Sequence, residues 1–272
     1  MFSRRRAPHD ADEVEERLAA AEDALDENDP RTALRHSDAA LDAARRLDGA
    51  TPLVVLALTT RAAALTDLGL FADALAAAGE ACGIDPEQAA AWHERGIALY
   101  RLGRFAEAAG AFRSVSELAA DAAESWHALG RCAVWLEDMQ AARDAFARAA
   151  TLDPDEYVVP LRIAAGEFDR VAGDVWASIP PRFRAMLDNT MVVVEPLPDL
   201  EDVERGFDPD TLGVYEGSTA LHTGAGPERI VLFQRNHENV CASLGALREE
   251  IRRTILHEVG HHFGMEEHEL PY

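Results

Sequence analysis

Lysine is missing altogether from the 272 residues, so every one of the 26 basic side chains is an arginine. Together with abundant alanine, this is the composition of a GC-rich bacterial coding sequence and says little about chemistry. Asp and Glu number 49 and the net charge is −23. Such a surface repels a phosphate backbone, which excludes nucleic acid as a partner. Cysteine is scarce: Cys82, Cys132 and Cys241 are far apart, odd in number and outside any CxxC pattern. That excludes a disulfide framework or a thiolate zinc site and predicts a reducing cytoplasm. No apolar run approaches the ~20 residues that span a bilayer, so no membrane partner is expected. The arginine cluster of MFSRRRAPHD runs into ADEVEERL without an apolar stretch, which is not an export signal.

What is present is a globular composition, 48% hydrophobic and 28% charged, on a chain long enough for two domains. Within it a spacing of 34 residues recurs. Trp92 and Trp126, Gly96 and Gly130, Ala108 and Ala142, and Phe112 and Phe146 are all so related, and Asp85-Pro86 precedes Asp153-Pro154 by twice that interval. LGLFADALAAA, LGRFAEAAGAF and LEDMQAARDAF each place a turn before a second helix. This resembles the tetratricopeptide repeat (TPR), with small residues where two helices cross and an aromatic at the seam. Units are expected near 55–88, 89–122 and 123–156. A diverged helical pair near 11–27 and 31–48 precedes them, with about seven extra residues around LDGATPLVV breaking the register. Stacked hairpins of this kind form a concave groove, expected here to take a peptide or protein partner, the alternative being a rigid spacer or a dimerisation surface. His93 and His127 stand at equivalent positions beside the two tryptophans and read as packing or surface residues.

After ATLDPDEYVVP the period is lost. LRIAAGEFDRVAGDVWASIP reads as one amphipathic helix ending at Pro180-Pro181, and RFRAMLDN as a short helix. MVVVEP and RIVLFQ read as strands and TLGVYEG as a strand or hairpin arm, with the acidic PLPDLEDVERGFDPDT between them a loop. From Ser243 as N-cap, LGALREEIRRTILHEVGHHFG is helical and stops at Gly264. Leu244, Ile251 and Ile255 are expected in the core, with Glu249 and Arg253 paired on the solvent side. The expected division is a disordered tail over 1–9, an α-helical repeat array over 10–160, and a small α+β domain over 161–272.

The last helix carries HEVGH. Positions i and i+4 lie on one helical face, so His257 and His261 can offer two imidazoles to one Zn²⁺. Glu258, beside the first of them, is placed to act as general base. The glycine of HExxHxxGxxH falls on Gly264, but ten residues after His257 comes Glu267, with His268 one residue late. Glu267 is the favoured third ligand, with His268 and then Glu266 as alternatives; His262 points elsewhere.

Residues from about 168 to 270 resemble the bacterial minimal zincin-like metallopeptidase family. The resemblance is carried by FDRVAGDVWASIPPRF, NTMVVVEPLP, LGVYEG, PERIVLFQRNHENVC and EEIRRTILHEVGHHFGM in that order. It implies a few strands beside the active-site helix and a zinc-dependent peptidase, with the motif residues at His257, Glu258 and His261 and an acidic position at Glu266 or Glu267. The repeats would then bind a polypeptide substrate or protein partner. An extended substrate beside RIVLFQ or MVVVEP would borrow hydrogen bonds from a sheet edge. Tyr215 is a candidate for steadying an oxyanion, set against a plain packed aromatic. The alternative from another class is an interaction protein whose zincin module binds metal without turnover.

Overall fold

Asn28, Gly69, Gly103 and Glu137 share one backbone conformation, left-handed with φ between 57° and 74°. Their spacings are 41, 34 and 34 residues, so the repeat and its one interruption are written into the turns. The structure is a computed structural model describing residues 7–180, 190–217 and 228–262. The helices flanking these turns are α1 (Ala7–Asp26), α2 (Pro30–Ala44), α3 (Thr51–Asp67), α4 (Phe71–Ile84), α5 (Ala89–Arg101), α6 (Phe105–Leu118), α7 (Ala123–Trp135) and α8 (Met139–Leu152). Each turn closes the same way. The amide after the left-handed residue donates back five residues, as in Asp29 to Ala24, Leu70 to Leu65, Arg104 to Leu99 and Asp138 to Ala133, all at 2.8–2.9 Å. This satisfies carbonyls that a helix end leaves orphaned.

The chain forms two compact units, Met1–Asp138 and Met139–Tyr272. In the first, small residues let helices approach closely. A Cβ on Gly96 would lie 2.6 Å from the ring of Phe112, so only glycine admits that ring against α5. Buried alanines, among them Ala57, Ala62, Ala74 and Ala78, continue the seam. Trp92 and Trp126 donate their indole N–H to the carbonyls of Pro86 and Ala120, each tying a helix to the turn before it. His93 is not a surface residue: its ring meets Phe112 edge-on, and its nitrogens reach Ser125 and Glu124.

The second unit continues from α8 through an extended run to α9 (Ala165–Ser178), β1 (Met191–Glu195), α10 (Leu200–Glu204), β2 (Gly213–Glu216), β3 (Arg229–Phe233), α11 (Gln234–Asn239) and α12 (Leu244–His262). The sheet order is β1-β3-β2, with β1 parallel and β2 antiparallel to β3. Side chains alternate between its faces. Val192, Val194, Tyr215, Ile230 and Leu232 join Phe168, Val171 and Val175 of α9 and Leu247, Ile251, Ile255 and Val259 of α12 in one core. On the other face Phe233 meets Phe207 edge-on. Phe207 of the acidic segment therefore lies against the sheet face away from α12.

Several expectations are corrected. Helix α9 starts at Ala165 rather than Leu161, because the Leu161 amide donates to Cys241 and that of Ile163 to Glu238. The acidic loop contains α10, capped by Asp199. QRNHEN is a helix. Leu244 is exposed, and Arg253 pairs with Glu250 rather than Glu249. Ser243 caps α12 as expected, accepting from the Ala246 amide. Of the tail expected over 1–9, residues 7–9 already belong to α1, while residues 1–6, the RFRAMLDN segment over 182–189 and Gly264 lie outside the described residues. Among the described residues no helix is long and apolar enough to cross a membrane.

Candidate functional site

Helix α12 lies against β2, and the sequence of β2 permits this only at glycine. A Cβ on Gly213 would fall 2.7 Å from Thr254 Cγ2 and 2.8 Å from the Val231 carbonyl oxygen. The close approach sets the edge of the sheet beside the stripe of α12 that carries Glu250, Thr254 and Glu258, residues four apart on one helical face.

The ladder shows which groups that edge presents. Phe233 donates to the carbonyl of Leu212 at 2.8 Å, and Val214 lies opposite Val231 in register. Hydrogen-bonded pairs alternate in an antiparallel ladder, so the peptide groups of Gly213 and Tyr215 turn away from β3. One of them has found a partner on α12: the Tyr215 amide donates to Glu258 Oε2 at 2.9 Å. A backbone N–H on an edge strand thus fixes one oxygen of the carboxylate of HEVGH.

A cavity of about 350 Å³ opens beside this contact, lined by Leu212, Gly213, Arg253, Thr254, His257 and Glu258 among others. His257 and Glu258, expected as metal ligand and general base, are therefore neighbours in one half-buried hollow. His261 lies one turn further along α12, and its backbone is helical there. Its side chain, and the third-ligand alternatives Glu266, Glu267 and His268, lie outside the described residues. Among the described residues no group of three His, Cys, Asp or Glu side chains gathers as a metal site. The described part of the motif nevertheless suits a divalent ion: an imidazole and a carboxylate line one cavity, on a helix that continues unbroken to a second histidine position one turn away.

Beneath the cavity sits His237, fully buried. Its Nδ1 meets the Phe233 carbonyl oxygen at 3.0 Å and its Nε2 meets Thr254 Oγ1 at 3.1 Å. A carbonyl only accepts, so Nδ1 carries the proton. Burial pushes the pKa down to about 4, so the ring is neutral and Nε2 accepts from the Thr254 hydroxyl. Thr254 Oγ1 also lies 2.9 Å from the Glu250 carbonyl oxygen, the alternative acceptor for its one proton. This link pins α12 one turn before His257. The link was not expected from the sequence, although His237 follows a strand residue by four positions and Thr254 precedes His257 by three.

Tyr215 acts through its backbone. Its ring packs in the core, and burial, with the Glu228 carboxylate beside it, raises the phenol above its usual range. The packed-aromatic reading holds. Of the two strands expected to offer an edge, RIVLF (β3) is central with both sides paired and MVVVE (β1) is an edge; the edge beside α12 is β2, within TLGVYEG.

Comparison with known proteins agrees with this two-part architecture. A family model for zincin-like metallopeptidases matches residues 187–272, and one for the tetratricopeptide repeat matches 93–157. No curated protein matches the chain. Solved structures similar to it include MamA (41-end) from Desulfovibrio magneticus RS-1, at 18% identity and TM-score 0.45, covering 63% of this chain and 86% of that one. A tetratricopeptide repeat protein from Parabacteroides merdae shows 17% identity and TM-score 0.44, covering 65% and 66%. YrrB, titled a TPR protein with an unusual peptide-binding site, shows 18% identity and TM-score 0.35, covering 52% and 86%.

Proposed function

We propose that the protein is a zinc-dependent metallopeptidase whose repeats, over residues 10–160, recruit a polypeptide to a catalytic domain over residues 161–272. The observation that carries this reading is the Glu258 carboxylate, held by the Tyr215 amide of an edge strand, in a cavity it shares with His257. His257, His261 and Glu267 would hold the metal, with His268 and Glu266 the alternatives to Glu267. A bound zinc ion would lower the pKa of water toward roughly 7 and polarise a carbonyl.

The chain's own residues account for the rest. Glu258 takes a proton from the attacking water and passes it to the departing amine, so one carboxylate serves both halves of the reaction. The Tyr215 amide orients that carboxylate by holding one of its oxygens. Gly213 leaves its peptide N–H and C=O outward on the same edge, where an extended substrate can pair with them. The repeat groove supplies a second contact with the polypeptide, and tethering the two raises the effective concentration of the scissile segment.

Glu258→Gln keeps shape and removes the base. Zinc content by metal analysis should stay at the wild-type level, while chelator-sensitive cleavage of a peptide library falls by a factor on the order of 10² or more. Unchanged turnover in the variant would overturn the mechanism. Absence of chelator-sensitive cleavage in the wild-type protein would leave the interaction-protein reading.

A further inference from the structure

A second cavity, of about 340 Å³, lies within the second unit, bounded by α8, the extended Val159–Arg162 run and α11. Its wall is apolar, from Phe146, Val159 and Pro160, and three guanidinium groups reach it, from Arg143, Arg162 and Arg235. In a chain of net charge −23 this concentration of positive charge is against the grain.

Two of the three arginines are held rigidly. Glu238, fully buried, accepts from Arg162 Nη1 at 3.2 Å, from Arg235 Nη1 at 2.8 Å, from the Ile163 amide and from Gln234. Arg162 Nη2 donates to Asn239 Oδ1, and its guanidinium lies over the ring of Phe146. Burial, with the neighbouring Arg235 cation adding to it, depresses the pKa of Arg162. One carboxylate thus stands against two guanidinium groups before Arg143 is counted. Arg143 is exposed on α8, one turn before Phe146, and has no acceptor among the described residues. Arg235 uses only Nη1 on Glu238; its Nε and Nη2 have no acceptor among the described residues. No carboxylate is among the described residues lining the cavity.

We propose that this cavity is a binding site for a small organic anion, a single carboxylate or phosphate head on an apolar body. The head pairs with Arg143 and Arg235, whose planar forks match two oxygens of such a group. The body lies on Phe146, Val159 and Pro160. Glu238 fixes Arg162 and Arg235 beforehand, so of the two arginines that meet the head only Arg143 has to be ordered on binding. The site is independent of the peptidase reading, because neither His257 nor Glu258 takes part.

The test is calorimetric titration of the full chain with benzoate, phenyl phosphate, inorganic phosphate and uncharged benzyl alcohol. Saturable binding of benzoate, phenyl phosphate or both is expected, weakening as salt is raised. Inorganic phosphate should bind more weakly and benzyl alcohol not measurably. Arg143→Ala, which removes an exposed side chain with no structural partner, should weaken the binding at least about tenfold with an unchanged urea midpoint. Preference for benzoate or phenyl phosphate then identifies the head group. Failure of both aromatic anions to saturate, equal binding of inorganic phosphate, or undiminished binding in Arg143→Ala each overturns the proposal.

Discussion

Gly213→Ala is the smallest change that tests how the site is built. The added methyl would sit 2.7 Å from Thr254 Cγ2 and 2.8 Å from the Val231 carbonyl oxygen, where ordinary contact begins at 3.4 Å. Val231 belongs to the central strand, paired on both sides, so β2 must give way by about 0.7 Å, the difference between 3.4 and 2.7 Å. Against this stands an entropic gain, since alanine costs less to order than glycine by roughly 0.5–1 kcal/mol. Overpacking a core contact costs roughly 1–3 kcal/mol, so the clash wins and a net loss of about 1–2 kcal/mol is expected. The same shift would stretch the Tyr215–Glu258 contact from 2.9 Å beyond hydrogen-bonding range. Urea unfolding at constant slope measures the stability change. Thr254→Ser removes the methyl that clashes while keeping the hydroxyl for His237, so combining it with Gly213→Ala should recover part of the loss in a double-mutant cycle. A Gly213→Ala variant as stable as the parent, with no coupling to Thr254→Ser, would refute the close-approach reasoning.

Three other outcomes follow from contacts elsewhere in the molecule. His237 is buried and neutral with its pKa lowered from 6.5 to about 4; the unfolded chain therefore binds the extra proton first, and its contribution is fully present above about pH 6.5 and lost as pH falls toward 4. The loss is roughly 3 kcal/mol, read as a falling urea midpoint between those values, and His237→Asn should flatten that slope. Glu137 holds the left-handed position that Gly69 and Gly103 hold in the other turns, so Glu137→Gly should raise stability by about 0.5–1 kcal/mol in thermal unfolding, and a loss would count against the shared turn geometry. Glu238→Gln leaves Arg162 and Arg235 without their buried counter-charge and should cost roughly 3 kcal/mol in urea unfolding.

The repeats were legible because their determinants are local and periodic. Gly96 and Phe112 form one contact, and the turn glycines are spaced as the phrases containing them. Helix α11 was illegible for the opposite reason. Sequence patterning equates polar with exposed, yet Gln234, Asn236, His237, Glu238 and Asn239 are all buried. They satisfy one another and the backbone of distant segments, such as Pro209 and Thr211 from Asn236, and no spacing along the chain announces such pairings. Likewise HEVGH could be read from its letters, but the donor that steadies Glu258 is a backbone amide, which has no letter.

That amide joins two parts of the site which the letters leave separate. The outward peptide groups of β2 are the natural place for an extended chain to add, and Glu258 is fastened to one of them. Displacement of the edge strand therefore loosens the hold on the carboxylate and changes how it is aimed relative to His257. The His237–Thr254 link fixes the other side of that relation, since it anchors α12 to the carbonyl that ends β3. Strand, base and helix are thus referenced to one central strand. A perturbation at β3 should consequently disturb stability and any turnover together, whereas Glu258→Gln should separate them.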